Sequence, residues 1–173
     1  YYPVPKEDYV LNFGHPKSVG QSFEHCKRSL ELCEKIDSQV YSLHAGFAID
    51  PKPHDLGREQ DQLQGIDFDE SRKIFMESIF ELAEIASKKG ILILLENNVV
   101  SKINAIDGRN SRYHLADMNE SESLMTLFEH PNIKMLLDVA HLKVSAHNLG
   151  FDPRQFIERF RDKIRALHLS DNN

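Results

Sequence analysis

Four apolar segments of the sequence each carry, at or near the carboxyl end, a side chain that binds metal ions or transfers protons. The segments QVYSLH, ILILLE, IKMLLD and IRALHL bring, in that order, His44, Glu96, Asp138 and His168. Carboxylates and imidazoles are common ligands of divalent cations and common general acids and bases. If the segments are parallel strands of one sheet, their carboxyl ends lie at one rim, so the four side chains are expected to converge there.

Alternate positions along the same segments support this interpretation. Residues two apart on a strand share a face, and the residues two positions before the polar four are Ser42, Leu94, Leu136 and Ala166. Small and aliphatic side chains at these positions fit the interior of a barrel. The alternative is that each polar residue is only the ordinary end of a strand. Strands buried on both faces rarely carry carboxylates, so the repeated placement favours a shared functional rim.

Helices are predicted between the strands, from apolar residues at helical spacing and from capping residues at the ends. The first runs from Ser22 to Ile36, the second follows Asp69 as its cap and ends at Gly90, the third is capped by Asn119 and ends at His130 and Pro131, and the fourth opens at Asp152 and Pro153. Alternating helices and strands are typical of βα units with a parallel sheet. We therefore predict an α/β fold of about four βα units, which form part of a (β/α)8 TIM barrel.

The composition restricts the class of protein. Lysine and arginine total 21 against 27 aspartate and glutamate residues, a formal net charge of -6, which argues against a large nucleic-acid-binding surface. No apolar run approaches the ~20 residues needed to cross a bilayer, and no secretory signal opens the sequence. Cys26 and Cys33 lie on one predicted helix face and are expected to be buried and reduced. These features predict a cytoplasmic protein with no membrane partner.

Two long connections follow His44 and Glu96. Loops of this length in compact domains are usually lids or binding loops, so both are expected to cover the rim. The second loop contains four side chains that could bind an anionic substrate group such as a phosphate, namely Lys102, Arg109, Arg112 and His114. The alternative for each of them is a solvent-exposed position in a polar loop.

The segments YSLHAG, LLENN, LLDVAH and ALHLSDNN resemble those of the xylose isomerase-like TIM barrels, the group of sugar phosphate isomerases and epimerases that also includes endonuclease IV. The opening, with YYPVP and VLNFGHP, resembles the stretch after the third barrel strand, so the resemblance covers nearly the whole chain. It implies one domain over residues 1–173 that contains strands four to seven and is incomplete at both ends. The eighth strand, which by the resemblance supplies a further glutamate ligand and acid/base, is expected to lie outside this sequence.

The resemblance also implies a role for each polar residue of the rim. Glu96, Asp138 and His168 match the ligands of a divalent metal ion, and Glu96 also matches a catalytic acid/base. His141 matches a histidine that contacts a substrate oxygen during catalysis, and His44 matches a zinc ligand of endonuclease IV. Mixed oxygen and nitrogen ligands favour Mn²⁺, Mg²⁺ or Co²⁺, with Zn²⁺ as a further candidate. The substrate-binding residues implied are His44, Asn98, His141 and Asp171.

The function implied is that of a metal-dependent isomerase or epimerase acting on a sugar or sugar phosphate. Such an enzyme moves a proton next to a carbonyl through an enediolate, whose negative charge the cation stabilises. Two alternatives stay open: a zinc phosphodiesterase that cleaves abasic DNA, similar to endonuclease IV, and a barrel fragment without catalytic activity. The open edges of an incomplete sheet also predict association, for example into a homo-oligomer.

Overall fold

A four-stranded parallel sheet forms the centre of the chain. The computed structural model describes residues 9–170. The strands are β1 (Val40–His44), β2 (Leu92–Glu96), β3 (Ile133–Asp138) and β4 (Ile164–His168), and they pair in sequence order. All three pairings are parallel. The four predicted strands and their direction are therefore confirmed, and the α/β architecture is that of part of a TIM barrel.

Helices precede or follow each strand. The described residues form five α-helices: α1 (Val19–Lys35), α2 (Phe68–Lys88), α3 (Met118–Ser123), α4 (Val139–Leu149) and α5 (Pro153–Phe160). Short 3₁₀ turns occur at Pro53–Asp55, Lys102–Asn104 and Met125–Glu129. No helix within residues 9–170 is both long and apolar enough to span a membrane.

Two of the predicted helix caps were wrong by two positions. Helix α2 is capped by Asp67, whose side chain accepts hydrogen bonds from the backbone N–H groups of Asp69 and Glu70. Helix α3 is capped in the same way by Asp117 rather than Asn119. Each start contains two candidate caps, and the first of them takes the position because its oxygen reaches the free N–H groups of the first turn.

Helix α4 was not predicted. It begins directly after β3, and the Asp138 side chain caps it by accepting a hydrogen bond from the His141 backbone N–H at 2.8 Å. Gly150 ends it in the left-handed conformation, with φ 74°. The aspartate three positions before His141 and the glycine were the sequence signals for this helix. Because Asp138 ends a strand and caps a helix, its carboxylate is oriented from both sides.

The hydrophobic core lies between the sheet and the helices that cover its outer face. Leu43, Ile93 and Met135 from successive strands belong to one buried cluster with side chains of α1 and α2. Cys26 and Cys33 belong to the same cluster. Both are free thiols, and both are buried, as predicted. The cluster fixes the strands relative to one another, and with them the residues at their carboxyl ends.

The turn after β1 is held by a close approach of two backbone segments. The Asn12 side-chain oxygen accepts hydrogen bonds from the N–H groups of Gly14 and Phe47, at 2.9 and 2.7 Å. A Cβ atom on Gly46 would lie 2.6 Å from the Gly14 nitrogen, so no side chain fits there. This contact fixes the chain two residues beyond His44.

Stability should depend on pH through a buried histidine at the start of α1. His15 is 3% exposed, and its Nδ1 accepts a hydrogen bond from the Lys17 backbone N–H. Burial lowers the pKa of His15 below its ordinary 6.5. The unfolded chain then binds more protons than the folded chain below about pH 6.5, so the free energy of unfolding should fall as the pH falls.

The substitution His15→Asn keeps a hydrogen-bond acceptor but removes the titrating group. We expect a shallower loss of stability between pH 7 and 5 in urea unfolding curves than for the unchanged chain. His54→Asn is the matched control, because the His54 side chain is 74% exposed. Identical pH slopes for the His15 variant and the unchanged chain would contradict this assignment.

Candidate metal centre

The strand register places the four predicted rim residues in two adjacent pairs. His44 is level with Glu96 across β1 and β2, and Asp138 is level with His168 across β3 and β4. Glu96 is level with Leu136, so the second pair lies two residues further along its strands. All four side chains are on the same face of the sheet, because every step in register is an even number of residues.

Glu96, Asp138 and His168 form one candidate ligand group, with their donor atoms all within 4.8 Å of one another. His168 Nδ1 lies 2.9 Å from Glu96 Oε1 and 3.7 Å from Asp138 Oδ2. The other oxygen of Asp138, Oδ1, accepts the hydrogen bond that caps α4. Each residue therefore presents one donor atom towards a common point, as expected from the sequence.

A second group consists of His44, Glu96 and His141, whose donor atoms also lie within 4.8 Å of one another. His44 Nε2 is 3.7 Å from Glu96 Oε2, and the rings of His44 and His141 are 5.7 Å apart. Burial lowers the pKa of His44, although Glu96 opposes this shift. Glu96 thus belongs to both groups, with Oε1 on the His168 side and Oε2 on the His44 side.

The charges of the first group fit a divalent cation. Glu96 and Asp138 are each only 7% exposed. Within residues 9–170 their ion pairs are with histidines alone, and none is with a lysine or arginine. Two neighbouring carboxylates that are buried without a cation are unfavourable. Two carboxylate oxygens and one imidazole nitrogen would compensate a bound Mn²⁺, Mg²⁺, Co²⁺ or Zn²⁺, and leave further coordination positions open.

Asn97 is a supporting residue that the sequence analysis missed. Its side chain donates to the Asp138 carbonyl at 3.1 Å and accepts from the Asp138 N–H at 2.7 Å. Its own carbonyl lies 2.9 Å from His141 Nδ1. Because a carbonyl only accepts, Nδ1 of His141 carries the proton and Nε2 is left free as an acceptor. The first asparagine of the LLENN segment was the available signal.

Asn98, predicted to bind substrate, lies between the two long loops. Its amide nitrogen donates to the carbonyls of Ala45, Gly46 and His114, at 2.7 to 3.2 Å. The residue lines a cavity next to the rim and also fastens the loops that form it. The other predicted substrate-binding residue outside the rim, Asp171, lies beyond the described residues.

His114 was predicted as a candidate to bind an anionic substrate group, and this was wrong. The residue is completely buried, between the rings of Phe68 and Phe75, each stacked at 5.0 Å. Ser71 Oγ donates to the Gly14 carbonyl, so it accepts the hydrogen bond from His114 Nε2 at 2.8 Å. A side chain that is enclosed in this way cannot contact a substrate.

The other side of the His114 ring contacts Glu120. Nδ1 of His114 lies 2.8 Å from Glu120 Oε1, and the backbone N–H of Leu115 donates to Glu120 Oε2. Burial raises the pKa of Glu120. One proton therefore lies between the two side chains. Leu115 has φ 54°, a conformation that side-chain-bearing residues rarely adopt and that the Glu120 contact supports.

The three remaining loop cations do not reach the rim cavity either. Arg112 pairs with Asp61 at 3.0 Å, and Arg109 lines a separate cavity of about 480 Å³ beside α3. Lys102 is exposed and is not among the residues that line the rim cavity. The solvated-loop interpretation is therefore the better description of Lys102, while Arg112 joins the two loops.

The two long loops cover the rim, as predicted. Together with the segment before α1 they enclose a cavity of about 600 Å³ that reaches His44 and His141. Phe47 and Leu56 come from the first loop, and Val99 comes from the second.

Sequence comparison with protein families agrees with this geometry. A model of the xylose isomerase-like TIM barrel family matches residues 3–173. The chain belongs to this family. No curated protein sequence matches it.

Solved structures with the same fold include several proteins named as sugar epimerases. A D-tagatose 3-epimerase-like protein has a TM-score of 0.64 at 20% identity, with 99% of this chain and 55% of that chain covered. The 3-keto-D-glucoside 4-epimerase YcjR from E. coli has a TM-score of 0.66 at 16% identity, with coverages of 95% and 56%. D-psicose 3-epimerase from Clostridium cellulolyticum H10 has 0.61 at 19% identity, with coverages of 91% and 48%. The chain thus spans about half the length of these structures.

Metal binding should depend on the charge of Asp138. The substitution Asp138→Asn keeps an oxygen that can cap α4 but removes one negative charge from the ligand group. We expect the affinity for Mn²⁺, measured by isothermal titration calorimetry on the 173-residue chain, to fall by at least about 10- to 100-fold. Asp152→Asn makes the same change at the cap of α5 and should leave the affinity unchanged. Equal affinities for the two variants would remove Asp138 from the site.

Proposed function

We propose that this chain carries the metal-binding part of a sugar isomerase or epimerase that moves a proton next to a carbonyl. The observation that most supports this proposal is the position of Glu96, whose two oxygens belong to two different donor groups. The names of the structural neighbours favour carbohydrate substrates. The proposal concerns the whole enzyme, since the chain spans about half of each neighbour.

The proposed reaction uses Glu96, Asp138, His168 and His141. A divalent cation held by Glu96, Asp138 and His168 would polarise the carbonyl and the adjacent hydroxyl of an open-chain sugar. On the other side, Glu96 Oε2 lies 3.7 Å from His44 Nε2 and can accept the proton from the carbon next to the carbonyl. His141 Nε2, whose direction Asn97 sets, accepts a hydrogen bond from a substrate hydroxyl.

The return of the proton distinguishes epimerisation from isomerisation. Delivery to the opposite face of the same carbon inverts it, and delivery to the neighbouring carbon interconverts an aldose and a ketose. Either path leads through an enediolate. The second acid/base group needed for inversion is assigned by the family resemblance to a strand outside this sequence.

A phosphodiesterase similar to endonuclease IV is the second candidate. The observation that favours it is the second donor group, His44, Glu96 and His141, which shares Glu96 with the first. A site for two cations bridged by one carboxylate suits phosphodiester cleavage. The net charge of -6 favours the sugar enzyme, as does the absence of lysine and arginine from the described residues that line the rim cavity.

We also propose a cytoplasmic location and self-association for this protein. A cytoplasmic location is consistent with two buried thiols that form no disulfide within the described part of the chain. Self-association is supported by apolar residues on the two edge strands, where Val40 is 47% and Leu167 54% exposed.

Proton transfer should depend on Glu96. In the enzyme that contains this chain, Glu96→Gln should reduce the Mn²⁺-supported turnover of a ketohexose by about 10²–10⁴-fold, because the amide cannot accept the proton. Incorporation of deuterium from D₂O into D-tagatose or D-psicose, followed by NMR, measures the step directly. Glu81→Gln, at an exposed position of α2, is the control and should retain full exchange. Undiminished exchange by the Glu96 variant would exclude Glu96 as the base.

A further inference from the structure

The cavity next to the rim is larger than the reacting part of a sugar requires. Its volume of about 600 Å³ lies within the range of about 300–1,000 Å³ that accommodates drug-sized ligands. It reaches His44 and His141 at one end and extends between the two long loops. A substrate whose reacting carbons lie at the rim therefore has room for a second, non-reacting group in this cavity.

The walls of the cavity are largely apolar. Leu43, Phe47, Leu56 and Val99 contribute aliphatic and aromatic surface from β1 and both loops. Phe47 also packs edge-on against Tyr113, another wall residue, at 5.9 Å. Such surface binds apolar groups by removing them from water.

The amide side chains of the wall have hydrogen-bond partners within the protein. The Gln60 side chain donates to the Asp55 carbonyl and accepts from the Tyr113 hydroxyl. The Asn104 side chain accepts from the Gln60 N–H and donates to the Arg58 carbonyl. These groups stabilise the wall, and satisfying them does not require a polar ligand.

The described side chains that line the cavity carry few charges. Among the described residues that line it there is neither lysine nor arginine, whereas the separate cavity beside α3 contains both Arg72 and Arg109. His25 also lines the rim cavity, and burial lowers its pKa below 6.5, so it is neutral at pH 7. A phosphate or carboxylate in this cavity would lose its hydration without a lysine or arginine partner among these lining residues.

We propose that the cavity binds an uncharged, apolar substituent of the sugar substrate, so that the enzyme acts on a glycoside or similar derivative and not on a sugar phosphate. The position of the reacting carbons in this inference rests on the proposed function. The nature of the substituent rests on the cavity walls alone. It narrows the substrate class that the family resemblance left open.

The test uses ligand binding to the 173-residue chain, so that it does not depend on turnover. The chain contains no tryptophan, and Leu56 is 47% exposed at the cavity, so Leu56→Trp supplies a single fluorescent reporter there. The probes are phenyl β-D-glucopyranoside, methyl β-D-glucopyranoside and D-glucose 6-phosphate. We expect the phenyl glycoside to change the fluorescence with an affinity about tenfold above that of the methyl glycoside, a difference of about 1.4 kcal/mol. The phosphate should give no saturable change.

A charge substitution provides the specificity control. Leu56→Lys places a cation at the cavity and should weaken phenyl glycoside binding, measured by saturation-transfer NMR on chains without the reporter, while allowing glucose 6-phosphate to bind. Ile157→Lys makes the same change at a 39% exposed position of α5, outside the cavity, and should alter neither.

The outcomes separate the two proposals. A saturable change of the Leu56→Trp fluorescence on addition of the phosphate, or phenyl glycoside binding that Leu56→Lys does not affect, would overturn the inference about the substituent. Failure of the phenyl glycoside to bind would overturn it as well. Leu56-dependent binding of the phenyl glycoside, together with an enzyme that exchanges no sugar proton, would support the cavity assignment and contradict the proposed isomerase function instead.

Discussion

Two buried carboxylates that share one rim, with no ion pair to a lysine or arginine within residues 9–170, impose the main constraint on this structure. Glu96 and Asp138 repel each other electrostatically, and histidines are their only ionic partners in the described part of the chain. Such an arrangement persists only where the surrounding structure enforces it. Here the parallel sheet fixes the two strands, Asn97 holds the Asp138 backbone from both sides, and α4 begins on the Asp138 side chain.

The loops above the rim depend on polar contacts that lie away from it. Asn98 connects the end of β1 to the backbone of His114, and His114 is anchored through its ring to α2 and α3. These groups are buried and bonded to one another, so losing any one of them would leave the others unsatisfied. The shape of the cavity therefore depends on Asn98 in its wall and on the buried ring of His114 behind it. Loops that are held in this way can present a defined wall without regular secondary structure.

The two oxygens of Glu96 face different surroundings. One oxygen of Glu96 faces Asp138 and His168, where negative charge is concentrated and a cation fits. The other lies 3.7 Å from His44 Nε2, and His44 lines the rim cavity. Solved structures with this fold share 20% identity or less with the chain in the three comparisons above, which shows the fold alone. Differences in the loops then decide which substrate is recognised, as is general for this architecture.

The strands and their polar ends were determined by the sequence by itself. Each of the four segments is short, apolar and followed by a polar residue, and this local pattern is sufficient to predict parallel strands with a common rim. The resemblance to the family then assigned Glu96, Asp138 and His168 to one group of ligands. Helix α4 was missed because its first residues follow a strand without an intervening turn, and Asp138 serves both elements.

Only the tertiary structure decided what the polar residues of the loops do. His114 and Arg112 have the composition of an anion-binding loop, but their partners, Glu120 and Asp61, differ from them by 6 and 51 positions in sequence. Whether a charged side chain faces a substrate or a protein group depends on such contacts, which folding creates and local sequence does not encode. The same holds for the neutral cavity, since its walls come from the segment before α1, from β1 and from both loops. Burial and charge compensation are properties of the assembled fold, and for that reason the convergence of the rim residues was predictable from the sequence and the contacts of the loop residues were not.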